Sequence, residues 1–187
     1  MKRQGLSKWF TTGVLAMSML ASSTPTFASD IFLKIDKIQG ESTDSKHKDH
    51  IEVLSWAWGQ STGTGRTARG IQAASCIEDL SFMKFVDSSS PALIMNGVVG
   101  EVAQTAVLTV LKPGDKEQQQ EFLKLTMKNV TVVSFQISGS EGDSLPTESV
   151  TLHFESMQGE YRKQRPDGTL DTPILWDITG GNTGCQQ

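Results

Sequence analysis

Cationic excess is the first thing missing from this 187-residue sequence: 17 Lys and Arg stand against 21 Asp and Glu, a net charge of −4. Duplex nucleic acid and anionic lipid surfaces both require counter-charge, so neither is expected as a partner. Cysteine is scarce. Cys76 and Cys185 are the two in the chain, and their spacing is not that of a C-x-x-C metal or redox site. Long Gln/Asn tracts, collagen spacing, sustained heptads and repeats of solenoid length are all absent, which removes fibrous, disordered and repeat architectures. No apolar run approaches the ~20 residues that a membrane-spanning helix needs.

What is present begins with a leader. Lys2, Arg3 and Lys8 form a positive start, and Trp9 to Ser29 carries no charge. Its most apolar part runs from Val14 to Ala21, and Thr26-Phe27-Ala28 ends in small residues. Positive start, short apolar stretch and small-residue site together read as a secretory signal peptide over residues 1–28. Its removal leaves 159 residues without a membrane span, one ordinary domain over 29–179 with a flexible Gly-rich tail over 180–187. The leader takes three basic residues and no acidic ones, so the net charge becomes −7. A secreted or periplasmic location is expected. In such an oxidising compartment Cys76 and Cys185 could pair within the chain, and intermolecular pairing through the tail is equally open.

The remaining chain alternates with period two, the mark of strands with one buried face. Ile31, Leu33 and Ile35 share a face, as do Leu123, Leu125 and Met127, then Thr131, Val133, Phe135 and Ile137, then Val150, Leu152 and Phe154, and finally Ile174, Trp176 and Ile178. With strand-like segments near 51–58, 76–86 and 102–111, about nine strands are expected. Lys112-Pro113-Gly114-Asp115 and Arg165-Pro166-Asp167-Gly168 have turn chemistry. Ser88-Ser89-Ser90-Pro91 followed by helix formers predicts one short helix, with Gly97 and Gly100 limiting it. The expected fold class is all-β, mainly antiparallel: a compact two-sheet barrel or sandwich carrying one short α-helix. Trp56 or Trp58 is expected to fill its core.

Three constellations resemble catalytic or metal sites and fail on spacing. Gly59 to Thr67 lacks the four-residue interval, the Lys and the following helix of a phosphate loop, so a flexible loop is expected. Gly142-Asp143-Ser144-Leu145 spells the nucleophile block of a serine esterase family, but it comes late, and no Asp lies three residues before His153. His47 and His50, with Asp44, Asp49 and Glu52, could begin a zinc site. Without a third distant ligand they read as a solvated loop. No catalytic residue, metal or cofactor is expected.

Four stretches carry more than pattern. They are Ile31 to Ile35 with Gly40-Glu41-Ser42 and Ile51 to Gly59; Asp79 to Lys84 with Asp87 and Ser90-Pro91; Val133 to Ser140; and Glu148 to Phe154 with Tyr161 and Asp167-Gly168. In order and spacing they resemble the Hcp family, the tube protein of bacterial type VI secretion. The resemblance implies a non-enzymatic structural component. Six copies would close into a ring, and rings would stack into a tube that carries small effector proteins under a spike protein. It also implies that residues 59–70, with Gly59, Gly63, Gly65, Arg66 and Gly70, reach a neighbouring ring, and that Gly40, Glu41 and Ser42 lie near subunit contacts. Members of the family leave the cell through the secretion machine itself and begin near the residue matching Asp30, reaching the extracellular space that way. The leader is a departure, and it opens a second reading: an exported, periplasmic Hcp-like adaptor or binding module that forms rings outside any injected tube.

Overall fold

A computed structural model describes residues 30–67, 70–113, 119–142 and 145–179, with the side chains of 63–67 and 70–74 outside the description. The expected signal peptide and the tail from 180 onward lie outside the described residues. Eleven strands and one helix are present among those that are described.

The first sheet is built on β1 (Ile31–Ile35), which pairs with the short β2 (Ile51–Glu52) on one side and with β7 (Ala103–Pro113) on the other, all antiparallel. β7 pairs with β8 (Gln119–Ser138), and β8 with β10 (Ser156–Tyr161), which carries β11 (Ile174–Thr179) at the edge. The second sheet runs from the far half of β8 through β9 (Thr147–His153) and β6 (Leu80–Phe85) to β3 (Ser55–Ala57). A twenty-residue strand thus belongs to both sheets, and the core lies between them.

The inner faces follow the alternation read from the sequence over much of their length. Leu33, Leu108 and Leu125 are in register across β1, β7 and β8, as are Ile35, Ala106 and Met127, and all six are buried. Val150, Leu152 and Phe154 are buried as expected. Burial of such side chains, at about 25 cal/mol per Å² of apolar surface, drives the two sheets together.

Of the two expected forms, barrel or sandwich, the fold is the sandwich: β2 and β3 have two and three residues, and between them Val53 and Leu54 reach the two sheets through single bonds, Val53 N to Ile31 O and Leu54 N to Met83 O. Three expectations are corrected. The stripe Thr131, Val133, Phe135, Ile137 does not face inward as a unit, although Phe135 packs against the core. Val130 and Val132 are buried instead, while Val133 and Ile137 are 53% and 59% exposed. Asn129 has φ +52° and shifts the frame there, and a bulge between Val132 and Ser134 shifts it again. Trp56 and Trp58 are half-buried and pack against the core without filling it. Lastly, the glycine-rich segment is a hairpin, with β4 (Gln60–Thr67) paired to β5 (Gly70–Ile77) in a separate two-stranded sheet.

The helix α1 (Ser90–Val99) has Ser89 at its N-cap, Pro91 in its first turn and Gly100 after its last residue. Ser89 makes no side-chain cap bond to the helix. Its hydroxyl donates to Asp87 Oδ1 at 2.5 Å. α1 packs against β8, with Leu93 fully buried.

Candidate functional site

Residues 39–50 leave β1, cross the outer face of the first sheet and return as β2. This strap is fastened at both ends. Gly40 N donates to Asp49 O at 2.9 Å, Asp49 N to Ser42 O at 2.9 Å and Ser42 N to His50 O at 3.1 Å. Only a residue without a Cβ fits at position 40, because a methyl there would overlap the His50 carbonyl and stand 2.6 Å from Ile51 Cα. Gly40 and Ser42 are buried inside the subunit. Glu41 is exposed, and its Oε1 accepts from Ser88 N at 2.9 Å just before α1. Of the three candidate contact residues here, Glu41 alone presents a side chain to solvent.

The strap is not the solvated loop its charge alternation predicts. His47 is buried, stacked on Phe32 with ring centroids 4.5 Å apart and planes within 2°. Its Nδ1 lies 2.8 Å from Asp44 Oδ1 and its Nε2 3.3 Å from Glu121 Oε1 on β8. Asp44 Oδ1 also accepts from the amides of Lys46 and His47. Partial burial raises the Asp44 pKa, but these hydrogen bonds outweigh it and leave the carboxyl below its ordinary range. His50 meets His47 edge-on at 5.4 Å, and burial first, then the neighbouring His47 charge, pushes its pKa down. No group of three or more His, Cys, Asp and Glu is placed to hold a metal among the described residues.

The hairpin carries the second set of candidates. Gly59 O accepts from Glu78 N at its base, and Gly63, Gly65, Arg66 and Gly70 lie in β4 and β5 opposite Ala74, Gln72, Ile71 and Thr67. Among the described residues the two strands pair only with each other. Eight residues of strand project ~26 Å at about 3.3 Å each, so the hairpin is a long arm. Cys76, near its base, is disulfide-bonded; Cys185 lies outside the described residues.

The esterase-like block is only partly described, since Asp143 and Ser144 lie outside. The sequence denied His153 a nearby Asp, yet the fold supplies one: His153 Nδ1 is 2.9 Å from Asp79 Oδ1, which tethers the end of β9 to the approach of β6.

Two features escaped the sequence reading. Lys84 is fully buried on β6, directly across from Glu148 on β9. Its Nζ donates to Asp87 Oδ1 at 2.7 Å, to the Phe85 carbonyl at 2.8 Å and to Ser90 Oγ at 3.1 Å, and it lies 2.8 Å from Glu148 Oε2. This network sets the start of α1. The other feature is the outer face of α1, where Ile94, Met95, Val98 and Val99 are exposed, Val98 by 75%. The signal was available in Ala92-Leu93-Ile94-Met95, a run too apolar for a helix that packs on one side only.

Comparison with known proteins agrees with this architecture. Residues 32–161 match the family described as "Type VI secretion system effector, Hcp". Protein hcp1 of Pseudomonas aeruginosa is 41% identical over 146 residues, which is 77% of this chain and 90% of that protein. Among solved structures, one described as a type six secretion system protein has a TM-score of 0.74 at 29% identity, covering 81% of this chain and 96% of its own. Hcp1 from Salmonella typhimurium has a TM-score of 0.66 at 34% identity, covering 82% of this chain and 95% of its own. With a sandwich of the same architecture and a match that spans most of its length, the chain belongs to the Hcp family of type VI secretion proteins.

Proposed function

We propose that this protein is a non-enzymatic tube subunit: six copies close into a ring, rings stack, and the lumen carries small effector proteins beneath a spike protein. The observation that carries the reading is the 41% identity to Protein hcp1 over 90% of that protein's length. Two features of the fold support it. The β4–β5 arm pairs with nothing else in the described subunit, as a contact element for another copy would. α1 leaves an apolar face bare, with Met95, Val98 and Val99 each more than half exposed, and contiguous apolar surface of this kind marks association sites. A heterologous contact repeated about an axis closes a ring when the rotation closes. Glu41, Gly59 and the arm residues Gly63, Gly65, Arg66 and Gly70 are the proposed contact positions, with Gly40 and Ser42 shaping the strap beside them.

Light-scattering mass and negative-stain microscopy of the protein from residue 29 onward test this. Ring-sized particles are expected; a strictly monomeric particle at high concentration overturns it. Ser144→Ala is expected to change no property of the assembly, and ester hydrolysis lost in that variant would instead reveal an enzyme.

A second reading is favoured by the uncharged segment behind Lys2, Arg3 and Lys8. The protein is then exported, cleaved after residue 28, and forms rings as a periplasmic adaptor outside an injected tube. The disulfide at Cys76 suits an oxidising compartment, and its proposed partner is Cys185. N-terminal sequencing of protein from a periplasmic fraction separates the readings, since an intact Met1 in the cytosol removes this one.

A further inference from the structure

We propose that His47 is a proton-operated latch that holds the 39–50 strap against β8. The ring is buried against Phe32, with a carboxylate oxygen at each nitrogen: Asp44 Oδ1 at 2.8 Å from Nδ1 and Glu121 Oε1 at 3.3 Å from Nε2. An imidazolium has two N–H groups and satisfies both carboxylates. A neutral imidazole has one.

The two contacts are not equivalent. Asp44 is three residues away, and its Oδ1 already accepts the Lys46 and His47 amides, so this carboxylate belongs to the turn inside the strap. Glu121 belongs to β8, and its ion-pair contact with Nε2 joins the strap to the sheet. When the ring gives up a proton, the remaining N–H stays on Asp44. Nε2 then turns a lone pair toward the Glu121 carboxylate, and attraction becomes repulsion. The proton therefore governs the tertiary link and leaves the local one standing.

The surrounding charges fit this division. Asp44, Lys46, Asp49 and His50 come from the strap itself, Glu121 and Lys124 from β8, Lys34 from β1 beside His50, and Arg162, beyond β10, lines the same groove. Charge on His47 disfavours charge on His50. At its other end the strap holds the approach to α1 through Glu41 and Ser88 N. Protonation of His47 is thereby connected, through the strap, to the start of the helix.

Amide hydrogen exchange of the purified protein tests the latch at Gly40, Asp49 and His50, which donate to Asp49 O, Ser42 O and His47 O. After correction for intrinsic rates, these amides are expected to be about tenfold better protected at pH 6 than at pH 8, the scale of one charge-assisted hydrogen bond. Glu121→Gln should abolish the difference, and His50→Gln should keep it. Ring nitrogen NMR should show His47 passing from imidazolium to the Nδ1–H tautomer across the same range. Equal protection at both pH values overturns the proposal, as does a difference that survives Glu121→Gln or vanishes in His50→Gln. A His47 ring that keeps one protonation state throughout also overturns it.

Discussion

Lys84 occupies a place where an apolar side chain would be ordinary. Leu80, Phe82 and Lys84 alternate onto the inner face of β6, opposite Leu152, Val150 and Glu148 on β9. Removing the ammonium leaves the buried Glu148 carboxylate without its cation and close to the partly exposed Asp87. We expect Lys84→Met to cost about 3–5 kcal/mol in urea unfolding, the range for breaking a buried ion pair from one side. At Asp44 the expectation concerns pH. Its folded pKa lies below the unfolded value of 3.8, so its contribution is complete above that value and is lost as pH falls through the lower, folded one. The gap in Tm between wild type and Asp44→Asn should accordingly narrow in melts taken below pH 3.8. Both residues stand in plain sight in the sequence. Lys84 reads as an outward charge until β6 and β9 are known to pair, and His47 reads as solvated because its partner Glu121 is more than seventy positions away.

At the level of elements, the informative case is β8. Its first half shows period-two alternation, and Leu125 and Met127 are buried accordingly. Extrapolation fails at Asn129, where a left-handed residue turns the strand from one sheet into the other, and Asn129 Nδ2 donates to Glu155 Oε2 in the matching bend between β9 and β10. Asn tolerates this conformation better than residues lacking a short polar side chain. Asn129→Ala should cost about 1–2 kcal/mol, and Asn129→Gly less than half as much, as read by denaturant titration. The hairpin was illegible for a different reason. Gly, Ser and Thr between 59 and 67 signal a loop, and only the cross-strand register with residues 70–77 makes them strands. The helix was legible in type and place, because Ser-Pro followed by helix formers is a local signal.

For the whole molecule, the arm and the sandwich should be separable. Replacing residues 62–75 with a two-residue turn keeps the Gly59 and Glu78 contact and Cys76, so Tm should move by no more than a few degrees. The same variant should fail to stack, giving single rings in negative stain where the intact protein gives longer particles. Loss of folding on this deletion would show that the arm belongs to the core. β8 has a further mechanical consequence. Since one continuous strand, paired with β10 along its first half and with β9 along its second, is the spine of both sheets, the sandwich has no slip plane along that side. A squeeze or tug on either layer must be felt by the other, as in a folded stave. Rupture under tension would begin on the opposite flank, at Val53 and Leu54, where the backbone crosses between the layers on one hydrogen bond to each.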